Sequence, residues 1–305
     1  MNSNSHTETQ SKNLKSIFYS QKIAPYIFVS PFIITFAGFY LYPLIATMIM
    51  SFQEVLPGQT SFIGLSNYEK LFNSTFYTAL ENTLEYTFWT LIILIPIPML
   101  LAIALNSKFV KFKPMYRAAL FVPALTSTIV AGVIFRLMFA ESDSAIANQF
   151  ISFFGFSSID WRGGEHTLMF LMVTLAAWRW MGVNLLYFLA GLQNVPKEMY
   201  EAAEIDGASM VDKFIHVTLP YLKPVTIYVV SITIFAGFRM FEEAYVFWQV
   251  NAPLDINLTL VGLIYREGFQ YNNLGYGSAI GMVLLIVVFI ISMINLKVMG
   301  AFKKD

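Results

Sequence analysis

Six apolar runs of about twenty residues or more, divided by polar stretches, organise this chain. A helix of that length crosses roughly 30 Å of hydrocarbon. The pattern predicts spanning helices over 25–51, 84–106, 118–140, 168–192, 223–249 and 275–298. The first contains Pro25, Pro31 and Pro43, lacks a small-residue cleavage site, and exceeds the roughly 7–15 residues of a signal-peptide core. It is expected to be retained. Residues 1–22 read as a polar, disordered tail, 23–299 as one transmembrane domain and 300–305 as a short C-terminal tail. The expected class is an all-α membrane protein with six transmembrane helices.

Composition agrees with that reading. The 305 residues are 57% hydrophobic and 12% charged, against about 25% charged in soluble domains. There is no cysteine, hence no disulfide framework or thiolate metal site, and the three histidines (His6, His166, His216) have no metal spacing. The net charge of zero gives no reason to assign nucleic acid as a partner. Lysine and arginine set the orientation. Lys12, Lys15 and Lys22 precede the first span. Lys108, Lys111, Lys113 and Arg117 connect the second to the third, Lys197, Lys213 and Lys223 the fourth to the fifth, and Lys297, Lys303 and Lys304 end the chain. The other three connections hold only Lys70, Arg162 and Arg266. The positive-inside rule therefore places both termini in the cytoplasm, as an even number of spans requires.

The polar segment "EMYEAAEIDGASMVDKFIHVTLP", Glu198 to Pro220, interrupts the apolar pattern between spans four and five. It reads as a cytoplasmic helix-turn-helix within 194–220. Pro196 suits the first helical position, and Glu198 and Glu201 lie near the positive end of the helix dipole. Gly207 can take the left-handed conformation that stops a helix. Ser209 and Asp212 have capping-box spacing, and Pro220 resets the chain before span five. A helix lying on the membrane surface usually carries Lys and Arg to meet anionic lipid. Here Glu198, Glu201, Glu204 and Asp206 face a single Lys197, so lipid repels the segment. Packing on its own bundle and docking to another protein remain. Ala202, Ala203 and Ala208 permit close approach, and the carboxylates can pair with basic residues of a partner cleft.

Glu201-Ala202-Ala203, then Gly207, then Val217-Thr218-Leu219-Pro220 resembles the EAA signature of permease subunits of ATP-binding-cassette importers, with valine where isoleucine is usual. The wider segment "FLAGLQNVPKEMYEAAEIDGASMVDKFIHVTLPYLKP" is similar to the carbohydrate-uptake branch, as are "FIGLSNYEKLF" (Phe62 to Phe72), "RAALFVPAL" (Arg117 to Leu125) and "YREGFQYNNLGYGSA" before span six. The resemblance implies that the hairpin is a coupling helix seated in a groove of a cytoplasmic ATPase. Glu201 would pair there with a basic residue, Ala202, Ala203 and Asp206 would lie at the contact, and Gly207 would allow the turn. It also implies an ATPase dimer, a second permease subunit and an extracytoplasmic sugar-binding protein. Relatives often carry a glycine-rich "GGP" after span five, where this chain has Val250-Asn251-Ala252-Pro253. No glycine is followed by lysine, so the chain has no phosphate-binding P-loop. ATP and magnesium are expected on the ATPase, with no cofactor on this chain.

Charges in lipid are costly and usually face a bundle interior or cavity. Arg136, Arg179 and Arg239 fall inside predicted spans. In "FAGFRMFEEAYVFW", Arg239 stands three residues before Glu242 and four before Glu243, so on an unbroken helix either pair can neutralise. A self-neutralising pair and a sugar-binding site are both compatible with this pattern. Carboxylates and guanidinium answer hydroxyls, and aromatic rings answer a sugar's apolar face. In the family the resemblance points to, the sugar site lies on the helices flanking the EAA hairpin. That placement nominates Trp178, Trp180 and Asn184 on span four, and Phe238, Arg239, Phe241, Glu242 and Tyr245 on span five. The expected function is import of a di- or oligosaccharide by a multi-pass subunit of a bacterial or archaeal inner membrane. An ion-coupled secondary transporter using Glu242 and Glu243, or an importer of glycerol phosphate or another polyol, stays open. No nucleophile–base or metal spacing supports an enzyme.

Overall fold

The computed structural model describes residues 21–56, 58–107, 109–298 and 300. The predicted tails lie almost wholly outside them. Five helices are long and apolar enough to cross a membrane, and the bent pair Lys113–Leu125 and Thr128–Met138 makes a sixth span if counted as one. The fold is that of an all-α membrane protein.

Span one runs through α1 (Ala24–Phe36), a π-helical stretch at Ala37–Leu41 and α2 (Tyr42–Met50). Pro31 has no N–H to offer the Ile27 carbonyl, and the Ser30 hydroxyl donates to that oxygen at 2.8 Å. No residue of α1 or α2 is buried, and α2 leans on span six. The following loop is ordered. Strands β1 (Gln53–Leu56) and β2 (Gln59–Phe62) pair antiparallel, Gln53 opposite Phe62, ahead of the short α3 (Ser66–Glu69). The buried Asn67 donates its amide to the Ser51 and Gln53 carbonyls at 3.0 and 2.9 Å. The "FIGLSNYEKLF" segment thus seals the end of span one.

Span two consists of α4 (Ser74–Leu94) and α5 (Pro96–Asn106). It begins at Ser74 rather than 84, because the Asn73 side chain caps it, accepting from the Phe76 N–H at 2.9 Å. Its buried stripe is polar: Asn82, Thr83, Thr87 and Thr90 recur on one helix face with Tyr86. Span three is not the straight helix expected over 118–140. Its halves, α6 (Lys113–Phe121, extended by a 3₁₀ turn to Leu125) and α7 (Thr128–Met138), meet at 98°. Pro123 cannot donate to the helix ladder, and Thr126 and Ser127 are extended. Arg136 sits exposed in the last turn of α7, where its charge opposes the negative end of the helix dipole.

After α8 (Ile146–Phe153), span four is the unbroken α9 (Glu165–Gln193), the axis of the bundle. Leu168, Leu171, Met172, Leu175, Leu185 and Phe188 on it are fully buried. The hairpin comprises α10 (Lys197–Ile205) and α11 (Met210–Lys213). Span five contains a π stretch (Phe214–Thr218), α12 (Leu219–Phe238) and α13 (Glu242–Trp248). A buried α14 (Leu260–Tyr265) precedes span six, α15 (Leu274–Val298).

Candidate substrate path and coupling hairpin

Span five breaks where the sequence pattern suggested a continuous helix. Its ladder stops at Phe238, and the chain leaves helical geometry at Phe241 before α13 begins. The break removes the helical spacing by which Arg239 could neutralise Glu242 or Glu243. Glu243 instead reaches span four, its Oε1 accepting from Arg179 Nη1 at 3.4 Å with both residues buried. Arg239 lies exposed with its guanidinium 5.9 Å from the Phe235 ring centre. Neither Arg239 nor Glu242 has an ionic partner among the described residues. The Thr259 hydroxyl, from beyond the predicted span, donates at 2.9 Å to the Met240 carbonyl inside the break.

Two cavities meet at this break. The larger, of about 580 Å³, is bordered by Arg239, Phe241, Glu242 and Glu243 on span five and by Arg179 and Trp180 on span four. Its volume falls within the roughly 300–1,000 Å³ usual for small-molecule sites. The smaller, of about 150 Å³, extends along span four toward the hairpin, past Asn184 to Tyr187, with Tyr86 and Thr90 on its far wall. Trp180, Ile232, Ala236 and Glu243 border both. Of the nominated residues, Trp180, Arg239, Phe241 and Glu242 therefore line the larger cavity, and Trp180 and Asn184 the adjoining smaller one.

Three others do not. Trp178 packs on Phe135 outside both cavities, at 5.7 Å between ring centres. Phe238 is 2% exposed and fills the core. Tyr245 is taken up in an aromatic cluster with Phe241 and Tyr265. Aromatic residues are dense along both spans, so their spacing alone does not say which ring faces the path. Asn184 is also more than a wall residue. Pro98 cannot donate to the Leu94 carbonyl one helical turn back, and the buried Asn184 amide donates to it at 2.8 Å. Asn184→Leu is expected to lower stability by about 1–3 kcal/mol, the cost of a buried carbonyl left bare. The detergent-solubilised midpoint of unfolding measures this, and an unshifted midpoint refutes the role.

Sequence reasoning read the loop after span five as external and without a fold of its own, and missed how it is held. Its backbone is held from span two: Asn82 donates to the Asp255 and Leu258 carbonyls at 3.0 and 2.9 Å, and the Thr83 hydroxyl accepts from the Leu260 N–H at 3.0 Å. Asn257 ties back to the Ala244 and Gln249 carbonyls, both at 3.0 Å. Arg266 pairs with Asp255 at 2.7 Å. The signal available in the sequence was amide and hydroxyl side chains flanking apolar Leu258, Leu260 and Leu263, each about 1% exposed.

The hairpin is braced. Gly207 takes φ +75°, the left-handed geometry glycine adopts at no steric cost. Ser209 and Asp212 form a reciprocal capping box, and Lys213 crosses to Glu204 at 2.7 Å. Tyr200 and Thr218 hydroxyls meet at 2.9 Å. Pro196 is the N-cap rather than the first helical residue. Pro220 does not reset the chain: helix runs on from Met210 to Phe238, and the ladder widens to a π-helical stretch (Phe214–Thr218) immediately before the proline. Glu201, Ala202 and Asp206 are exposed and Ala203 is half-buried. The tip also exposes Ile205 and Met210, at 87% and 88%, an apolar component that the acidic reading overlooked.

A polytopic helical bundle with a braced polar hairpin between its fourth and fifth spans, and a cavity at a broken helix, defines a membrane transport protein. The chain belongs to the family described as binding-protein-dependent transport system inner membrane component, whose model matches residues 13–299. It is 63% identical over 291 residues to the arabinooligosaccharides transport system permease protein AraP of Bacillus subtilis, covering 95% of this chain and 93% of that one. It is 56% identical to the protein of the same name from Halalkalibacterium halodurans, covering 98% and 94%. Its fold matches a chain of a bacterial ABC transporter involved in the import of the acidic polysaccharide alginate, at TM-score 0.82 and 22% identity, covering 97% of this chain and all of that one.

Proposed function

We propose that this chain is the permease subunit through which an ATP-driven importer passes arabinooligosaccharides, delivered by an extracytoplasmic binding protein. The observation that carries the substrate class is the 63% identity to an arabinooligosaccharide permease along nearly the whole of both chains. The larger cavity supports it. Arg239 and Glu242 offer charged groups to hydroxyls while Phe241 and Trp180 offer ring faces. The ion-coupled alternative loses one of its two carboxylates, because Glu243 is held by Arg179.

Mechanistically, both termini and the hairpin lie in the cytoplasm, where an ABC ATPase dimer binds ATP and magnesium and grips α10 and the tip. A related second permease completes the pathway. Closure of the ATPase moves the hairpin, and the unbroken helix from Met210 to Phe238 carries that motion to the break beside the cavity. In cells lacking the chromosomal copy, restoring this chain restores ATP-dependent uptake of labelled arabinotriose that survives an ionophore. Uptake abolished by the ionophore, or absent altogether, overturns the reading. Glu242→Gln is expected to raise the concentration for half-maximal uptake by roughly tenfold, the loss of one charge-assisted hydrogen bond. An unchanged concentration dependence removes Glu242 from the site.

A further inference from the structure

Arg179 is an intramembrane charge whose role the sequence leaves open, and its surroundings are specific. It is 8% exposed, its Nη1 donates to Glu243 at 3.4 Å, and its Nη2 donates to the Thr126 carbonyl at 3.4 Å. Its guanidinium carbon stands 5.3 Å from the ring centre of Trp180. Its Nε is buried without a hydrogen-bond partner. Thr126 lies at the 98° bend of span three and Glu243 just past the break of span five. One fork thus ties both irregular segments to the unbroken span four.

Its two side-chain partners, Trp180 and Glu243, are among the four residues that border both cavities, the others being Ile232 and Ala236. Ile232 is a branched aliphatic and Ala236 a single methyl, so the ring and the carboxylate supply the aromatic and charged groups of the border, or neck, that the larger and smaller spaces share. Arg179 itself borders only the larger.

We propose that Arg179 is a specificity-determining positioning residue, which by holding Trp180 and Glu243 at this neck sets the length of sugar chain the permease passes. The proposal rests on the function proposed above. A planar fork is required, because it must reach Glu243 and Thr126 together while its face lies against an indole. Lysine, a single point of charge on a flexible stem, satisfies one of these at a time.

The test measures uptake of arabinose di-, tri- and tetrasaccharides in cells lacking the chromosomal copy, normalised to the amount of permease in the membrane. Arg179→Lys and Arg179→Gln are each compared with wild type, as is Trp180→Ala, which opens the neck without touching the ion pair. The tetrasaccharide-to-disaccharide ratio is expected to move by roughly threefold or more in the Arg179 variants and in Trp180→Ala, since contacts in a shaped passage discriminate at this scale or above. Restoration toward wild type is expected to be greater in Arg179→Lys than in Arg179→Gln. The binding protein is the same in every strain, so its own preference cancels from the ratio. A ratio unchanged in the Arg179 variants overturns the proposal, whether total uptake is high or low and whatever Trp180→Ala does. If Arg179→Gln fails to accumulate, Arg179→Lys decides. Wild-type cells that take up none of the three sugars refute the proposed function instead.

Discussion

Cells carrying Glu201→Lys are expected to lose sugar uptake while the permease accumulates in the membrane as usual. Glu201 lies exposed on α10 and has no ionic partner among the described residues, so its reversal leaves the chain's own packing undisturbed. Exposed substitutions of this kind change stability by about 0.5 kcal/mol or less. On the proposed coupling role the effect falls on docking. Truncating one partner of a buried charge pair costs about 2–5 kcal/mol, and a lysine facing a basic residue of the partner ATPase adds repulsion. Affinity of the permease for its ATPase should therefore fall at least about thirtyfold. Three measurements read it: membrane abundance, uptake, and ATP hydrolysis stimulated by sugar-loaded binding protein in proteoliposomes. Normal abundance with both activities lost is the expected pattern. Stimulated hydrolysis at the wild-type rate would remove Glu201 from the coupling contact. The proposed transmission of motion has a structural basis, because the capping box, the Glu204–Lys213 bridge and the uninterrupted helix into span five leave little local freedom to absorb a push.

Spans one, four and six were legible nearly to the residue, because long apolar runs have few other stable destinations. The start of span two was not. The first turns of α4 are polar, and its buried threonines satisfy their hydroxyls within the helix, as Thr83 does on the Ala79 carbonyl and Thr87 on the Thr83 carbonyl, both at 2.7 Å. A polar stripe of this kind faces the bundle yet depresses local hydropathy. The break in span five was hidden for a different reason. The group that answers the Met240 carbonyl is Thr259, nineteen residues away, and the partner of Glu243 is Arg179, sixty-four residues away. Local spacing favoured Arg239 for both carboxylates, and only tertiary packing decides against it. The hairpin was the most legible feature, since caps and a turn glycine are local chemistry. Its continuity with span five was not, because Pro220 signals a helix start and a chain break equally well.

Gly182→Ala is expected to prevent the bundle from assembling, with the permease lost from the membrane and uptake lost with it. On helix propensity alone the change should help, since alanine is favoured over glycine by about 1 kcal/mol in a helix interior. Packing opposes it. A Cβ at 182 would stand 2.0 Å from the Leu120 carbonyl oxygen, 2.3 Å from its carbon and 2.7 Å from the Phe121 nitrogen. These atoms are backbone, so no rotamer change relieves the overlap, and span four must move away from α6. Overpacking in a well-filled core costs about 1–3 kcal/mol and occasionally more. Displacement of a backbone lies at the upper end, enough to outweigh the propensity gain. In a membrane, where lipid is as apolar as the helix surfaces, close approach at small residues is a main source of association, so its loss has little to replace it. The shift also pulls Arg179, one turn away, off the Thr126 carbonyl at the bend. Gly191 on the same helix supplies the comparison. Its added Cβ would meet side-chain ends, Leu222 Cδ2 and Val225 Cγ2, both at 2.8 Å, and these can turn aside. Gly191→Ala should therefore keep most of its abundance and uptake while Gly182→Ala keeps neither. Equal abundance of the two variants, measured by immunoblot of membranes and by thermal unfolding in detergent, would show that spans three and four do not approach at Gly182 as closely as this structure places them.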